Sequence, residues 1–94
     1  FGASDAIEHI VVEESAKCLV LRMRAVPALD STAMNALTAL TKTCESKGVT
    51  IVFSHVNEQP MKVMKKAGFV ALAGEENFCP NITAALERAE EIIK

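Results

Sequence analysis

The 94-residue chain has neither Trp nor Tyr and only four Phe. It therefore offers no aromatic array on which nucleic-acid bases could stack. Ten Lys and Arg stand against twelve Asp and Glu, for a net charge of −2, so there is no basic footprint for nucleic acid or anionic lipid. The longest unbroken apolar run is Phe69 to Ala73, whereas a membrane-spanning helix needs roughly twenty apolar residues. With four glycines, the chain has no Gly-x-Ser-x-Gly elbow, no Walker loop and no dinucleotide fingerprint. Cys18, Cys44 and Cys79 are odd in number and match no zinc spacing. They read as buried free thiols in a reducing cytoplasm, and no metal or cofactor is expected. The chain starts Phe-Gly-Ala, without an initiator Met or a charged leader, and reads as a fragment of a longer protein.

Half of the residues are apolar, and their spacing describes one small α/β domain over residues 1–94. Ser4 to Glu14 places Ile7, Ile10 and Val11 on one helical face, with Ser4 or Asp5 as N-cap. Lys17 to Arg24 is dense in apolar residues and reads as a buried strand stopped by Pro27. Asp30-Ser31-Thr32 opens a helix carrying Ala33, Met34, Leu37, Leu40 and Cys44, which Gly48 ends. Val49 to Phe53 is a strand, and a helix follows from Glu58, with Pro60 in its first turn and Gly68 as its stop. Phe69 to Leu72 reads as a further strand and Gly74 to Pro80 as loop, and Asn81 caps a final helix. This α-β-α-β-α-β-α order implies a mainly parallel sheet covered by helices. Three strands are thin for four helices, which suggests that early strands lie ahead of Phe1.

Two strand-to-helix junctions draw attention, because ligands of open α/β sheets bind at the carboxyl ends of the strands. The first, Ala25 to Ala33, brings Asp30, Ser31 and Thr32 to a helix N-terminus with free N–H donors. These residue types are also ordinary caps. A hydroxyl on an exposed first turn can accept a phosphate that the helix dipole tolerates and that blocks a docked partner. The second, Asn57-Glu58-Gln59-Pro60, falls on the same edge and could complete one recognition surface, or serve only as turn and cap. His9 and His55 lack the accompanying carboxylates of a metal site. A Cys18–His55 pair is the one catalytic arrangement conceivable, and a thiol in a core strand is normally inert.

Four stretches resemble the STAS domain (sulfate transporter and anti-sigma factor antagonist), most narrowly that of SulP-type anion transporters. They are Phe1-Gly2-Ala3-Ser4; Leu19 to Pro27 followed by Leu29-Asp30-Ser31-Thr32; Val56-Asn57-Glu58-Gln59-Pro60; and Asn77-Phe78-Cys79-Pro80-Asn81-Ile82 with Ala85, Leu86 and Ala89. The resemblance implies a mixed sheet packed against helices, whose absent front is a pair of strands, one antiparallel to the rest. It implies no enzyme activity and a cytoplasmic regulatory domain at the inner face of the plasma membrane. The expected partners are the transmembrane domain of the same transporter, a soluble regulatory protein or a second copy, met through Asp30, Ser31, Thr32, Ala33, Asn57, Glu58 and Pro60. In stand-alone relatives that antagonise anti-sigma factors, the serine at the position of Ser31 is phosphorylated by a partner kinase. Ala33 stands where the family usually has glycine.

Overall fold

The computed structural model describes residues 8–12 and 17–93. Among them, strands β1 (Glu8–Val12) and β2 (Cys18–Arg22) precede helix α1 (Ser31–Ser46) and strand β3 (Thr50–Ser54). Helices α2 (Glu58–Lys66) and α3 (Phe69–Ala73) follow, then a 3-10 turn (Glu75–Asn77), strand β4 (Phe78–Cys79) and helix α4 (Ile82–Ile93). The strands form one sheet in the order β1-β2-β3-β4. The β2–β3 and β3–β4 pairs are parallel, and β1 runs antiparallel to β2. This is a mixed α/β fold.

Strand alternation divides the sheet into two unequal faces. Leu21, Met23, Ile51 and Phe53 point into the larger cluster, with Leu37 of α1, Met64 of α2 and Phe69 of α3. Cys18, Val20 and Val52 point the other way, onto Ala85 and Ala89 of α4. Both crossovers between parallel strands therefore pass over one face, and among the described residues α4 covers the other. Small alanines let α4 lie close to the strands. Phe53 is fully buried and anchors the larger core, stacked on Phe78 at 4.6 Å and edge-on to Phe69 at 5.5 Å.

Four expectations are corrected. Residues 8–12 are a strand and not part of a helix. Ile10, Val11 and Val12 are β-branched and suit a pleated surface, and pairing with Cys18–Arg22 decides between the two periodicities. The proposed cap at Ser4 or Asp5, Ile7 and residues 13–14 fall outside the described residues, as does Phe1-Gly2-Ala3-Ser4. Glu8–Val12 supplies an antiparallel strand within the chain, in place of the expected helix. Phe69–Ala73 is a short helix and not a strand, with Phe69 buried and Val70 and Ala73 half-buried against the larger core. Gly68 makes the break before it at φ 75°, a left-handed conformation that glycine adopts without a Cβ penalty. Finally, the segment 74–80 contains β4, and the order is β-β-α-β-α-α-β-α.

The chain reaches β4 through Gly74, whose φ is 97°. A Cβ there would sit 3.0 Å from Asn77 Nδ2. That amide is buried and donates to the Ala73 carbonyl at 2.8 Å, while its oxygen accepts from Arg88 Nε at 2.9 Å. Asn77 so ties the approach to β4 onto α4 and brings Phe78 to Phe53. Replacing the ring at the centre of this packing, Phe53→Ala, should destabilise the domain by about 3–5 kcal/mol in urea denaturation. A loss below about 1 kcal/mol would contradict the packing described.

Candidate functional site

The carboxyl ends of β2 and β3 feed two loops that meet side by side. The first runs from Met23 to Asp30 into α1. The second is His55–Asn57, leading into α2. His55 is the one non-glycine residue among the described residues with positive φ, at 53°, and its N–H donates to the Cys79 carbonyl at 2.9 Å. The chain thereby turns sharply at the end of β3.

Side-chain amides from the second loop hold the first. Asn57 Nδ2 donates to the carbonyls of Arg24 at 3.0 Å and Val26 at 2.8 Å. Gln59 Oε1 accepts from the Leu29 N–H at 2.8 Å, and Gln59 Nε2 donates to the Leu29 carbonyl at 3.4 Å. Met23 N–H reaches the Ser54 carbonyl at 3.0 Å, and Val26 and Leu29 bury their side chains. A stretch with little regular secondary structure is thus fixed by backbone hydrogen bonds across thirty or so residues of sequence and by two apolar anchors.

This fixed loop delivers α1 in a defined position. Asp30 is the N-cap, its Oδ1 accepting from the Ala33 N–H at 2.8 Å. Asp30, Ser31 and Thr32 are exposed, with Ser31 the first helical residue. Ala33 turns inward, half-buried against the larger core. The second cluster divides similarly. Asn57 is half-buried, Glu58 is exposed and lies 3.7 Å from Lys62 one turn on, and Pro60 is buried and presents no side chain to a partner. Gln59, whose contacts lie thirty residues back in sequence, is the structural residue that its motif alone did not single out.

Between α1 and α2 runs an open groove of about 390 Å³. Leu29, Met34 and Val63 contribute apolar lining, and Ser31, Asn35 and Lys66 contribute polar groups. Ser31 therefore borders an open groove with apolar walls. Among the described residues no group of His, Cys, Asp and Glu could hold a metal. Cys18 is fully buried, and desolvation by burial pushes its thiol up despite the opposing charge of Arg88. All three cysteines are free.

The clamp makes a direct prediction. Asn57→Ala leaves the carbonyls of Arg24 and Val26 without that donor and should cost about 1–2 kcal/mol. Amide hydrogen exchange should accelerate at residues 24–34 while β2 and β3 stay protected. Unchanged exchange in that stretch would show that the loop is held by other means.

A family model described as STAS domain matches residues 3–85. Among solved structures, a sulfate transporter family protein from Wolinella succinogenes is 35% identical with a TM-score of 0.80, the match covering 88% of this chain and 68% of that one. The STAS domain of a SulP transporter from Vibrio cholerae is 30% identical with a TM-score of 0.77, covering 85% of this chain and 62% of that one. No curated protein matches. The family model spans most of the sequence, and the chain belongs to the STAS domain family.

Proposed function

We propose that residues 1–94 form a single regulatory domain within a longer SulP-family secondary anion transporter, placed at the cytoplasmic face of the membrane. It acts by docking, through the exposed start of α1 and the adjoining groove, against the transmembrane domain or a soluble regulatory protein. The observation that carries this reading is the position of Ser31 on the border of a groove with apolar walls, on a helix end held by the Asn57 and Gln59 amides. A surface held in advance loses little entropy on binding. The similarity to SulP-family structures supports the transporter context. No helix among the described residues is long and apolar enough to cross a membrane. A catalytic reading draws no support from Cys18, whose thiol is buried and whose pKa is pushed up by that burial.

The exposure of Ser31 favours one second reading, a stand-alone anti-sigma factor antagonist switched by phosphorylation. A phosphoryl group on Ser31 would stand at the positive end of the α1 dipole and obstruct the groove. The two readings part in the coding sequence ahead of Phe1, where the transporter reading requires several apolar spans of about twenty residues. In that full-length protein, Ser31→Glu and Lys66→Glu should each change anion uptake several-fold at equal surface expression. Wild-type uptake from both variants would contradict docking through this groove, and an upstream sequence without spans would contradict the transporter context.

A further inference from the structure

The face of the sheet under α4 is apolar from Cys18 through Val20 and Val52, and then changes character in its last row. Arg22 and Ser54 close that face, and they are register partners across the β2–β3 pair. Beside them a small cavity of about 100 Å³ opens at the carboxyl edge, lined by Arg22, Arg24, Ser54, His55, Asn81 and Ile82. Alternation alone would have continued the apolar face to the strand ends. The polar row falls where the α4 N-terminus overhangs the sheet.

Ser54 is the telling residue. It is only 2% exposed, and its hydroxyl takes part in no hydrogen bond among the described residues, yet none of their polar side-chain atoms is sealed inside without a partner. The surface that its hydroxyl retains therefore opens onto this cavity. A buried hydroxyl is normally satisfied, so one turned into a polar cavity calls for a ligand or solvent partner.

The remaining lining supplies positive potential and donors. Arg24 is exposed, and its guanidinium makes no ion pair with a described residue. Arg22 also lines the wall and has a partner of its own, so the site does not draw on it. Asn81 Oδ1 caps α4 by accepting from the Ala84 N–H at 2.8 Å, which leaves the N–H groups of Ile82 and Thr83 as the unused donors of the first turn. Among the described residues no carboxylate lines the cavity.

From this arrangement we infer that the cavity beneath the α4 N-terminus is a binding site for a small tetrahedral oxyanion, sulfate or inorganic phosphate. Donors converge from a strand hydroxyl, a loop guanidinium and a helix end, a three-sided set that suits a tetrahedral acceptor better than a planar carboxylate or a halide. The volume holds about three waters, which admits such an ion and leaves no room for a nucleotide. The site lies across the edge from the α1–α2 groove and does not depend on the docking reading.

Titration of the 15N-labelled 94-residue chain at constant ionic strength tests the inference, with sulfate, inorganic phosphate, acetate and chloride as separate arms. Sulfate or phosphate should give saturable amide shifts confined to residues 54–55 and 81–83. Arg24→Gln should weaken binding at least about tenfold, the loss of one charge-assisted contact. Ser54→Ala, a small change that the fold tolerates, should weaken it several-fold, and Lys62→Gln on exposed α2 should leave it unchanged. Shifts that fail to saturate, that acetate and chloride reproduce, or that survive both site variants would overturn the inference.

Discussion

The amide of Asn57 bridging the carbonyls of Arg24 and Val26 is the constraint on which the carboxyl edge of the sheet depends. Between the last residue of β2 and the first of α1 lie eight residues with no ladder of their own. Their backbone groups must find partners or face water. Asn57, Gln59 and the Ser54 carbonyl supply several of those partners, and Val26 and Leu29 add buried apolar anchors. Because the donors belong to the start of α2, the position of α1 is coupled to that of α2. The groove between them is a consequence of the coupling.

A second consequence follows from the asymmetry of the sheet. Crossovers through α1 and through α2 and α3 load one face with large side chains, Leu37, Met64 and Phe69 against Phe53. Among the described residues the opposite face carries α4, packed through Ala85 and Ala89. The two faces end differently at the carboxyl edge. On the crowded face the chain closes over itself and presents the exposed first turn of α1. On the α4 face the apolar row gives way to Arg22 and Ser54. The α1–α2 groove and a small polar cavity thereby occupy the same edge without sharing side chains.

Much of this was legible where local chemistry decides. Asp30 and Asn81 cap the helices that their types announce, and Gly48 and Gly68 follow α1 and α2 as stops. Legibility failed where tertiary pairing overrides a local pattern. Ile10 and Val11 fit a helical face as well as a pleated one, and only the partner strand separates the two. Phe69–Ala73 is apolar throughout and carries no period, while the true edge strand, Phe78–Cys79, is too short to announce itself. Pro60 is allowed in a first turn whether it faces water or core, and the fold buries it. The work of Asn57 and Gln59 spans thirty or so residues and has no local signature. The edge itself could be read from chain order, since strand-to-helix junctions of parallel strands share one side.

Membership of the STAS family gives the domain its context, and the central claim is that the exposed first turn of α1 is its contact surface. Photo-crosslinking in the full-length protein tests this most directly. A benzophenone amino acid placed at Thr32, which is exposed beside Ser31, should form a specific adduct with the membrane domain or a regulatory protein. The same group at Glu87, exposed on α4, should form none. An adduct from Glu87 with none from Thr32 would contradict the account and move the contact surface to the α4 side.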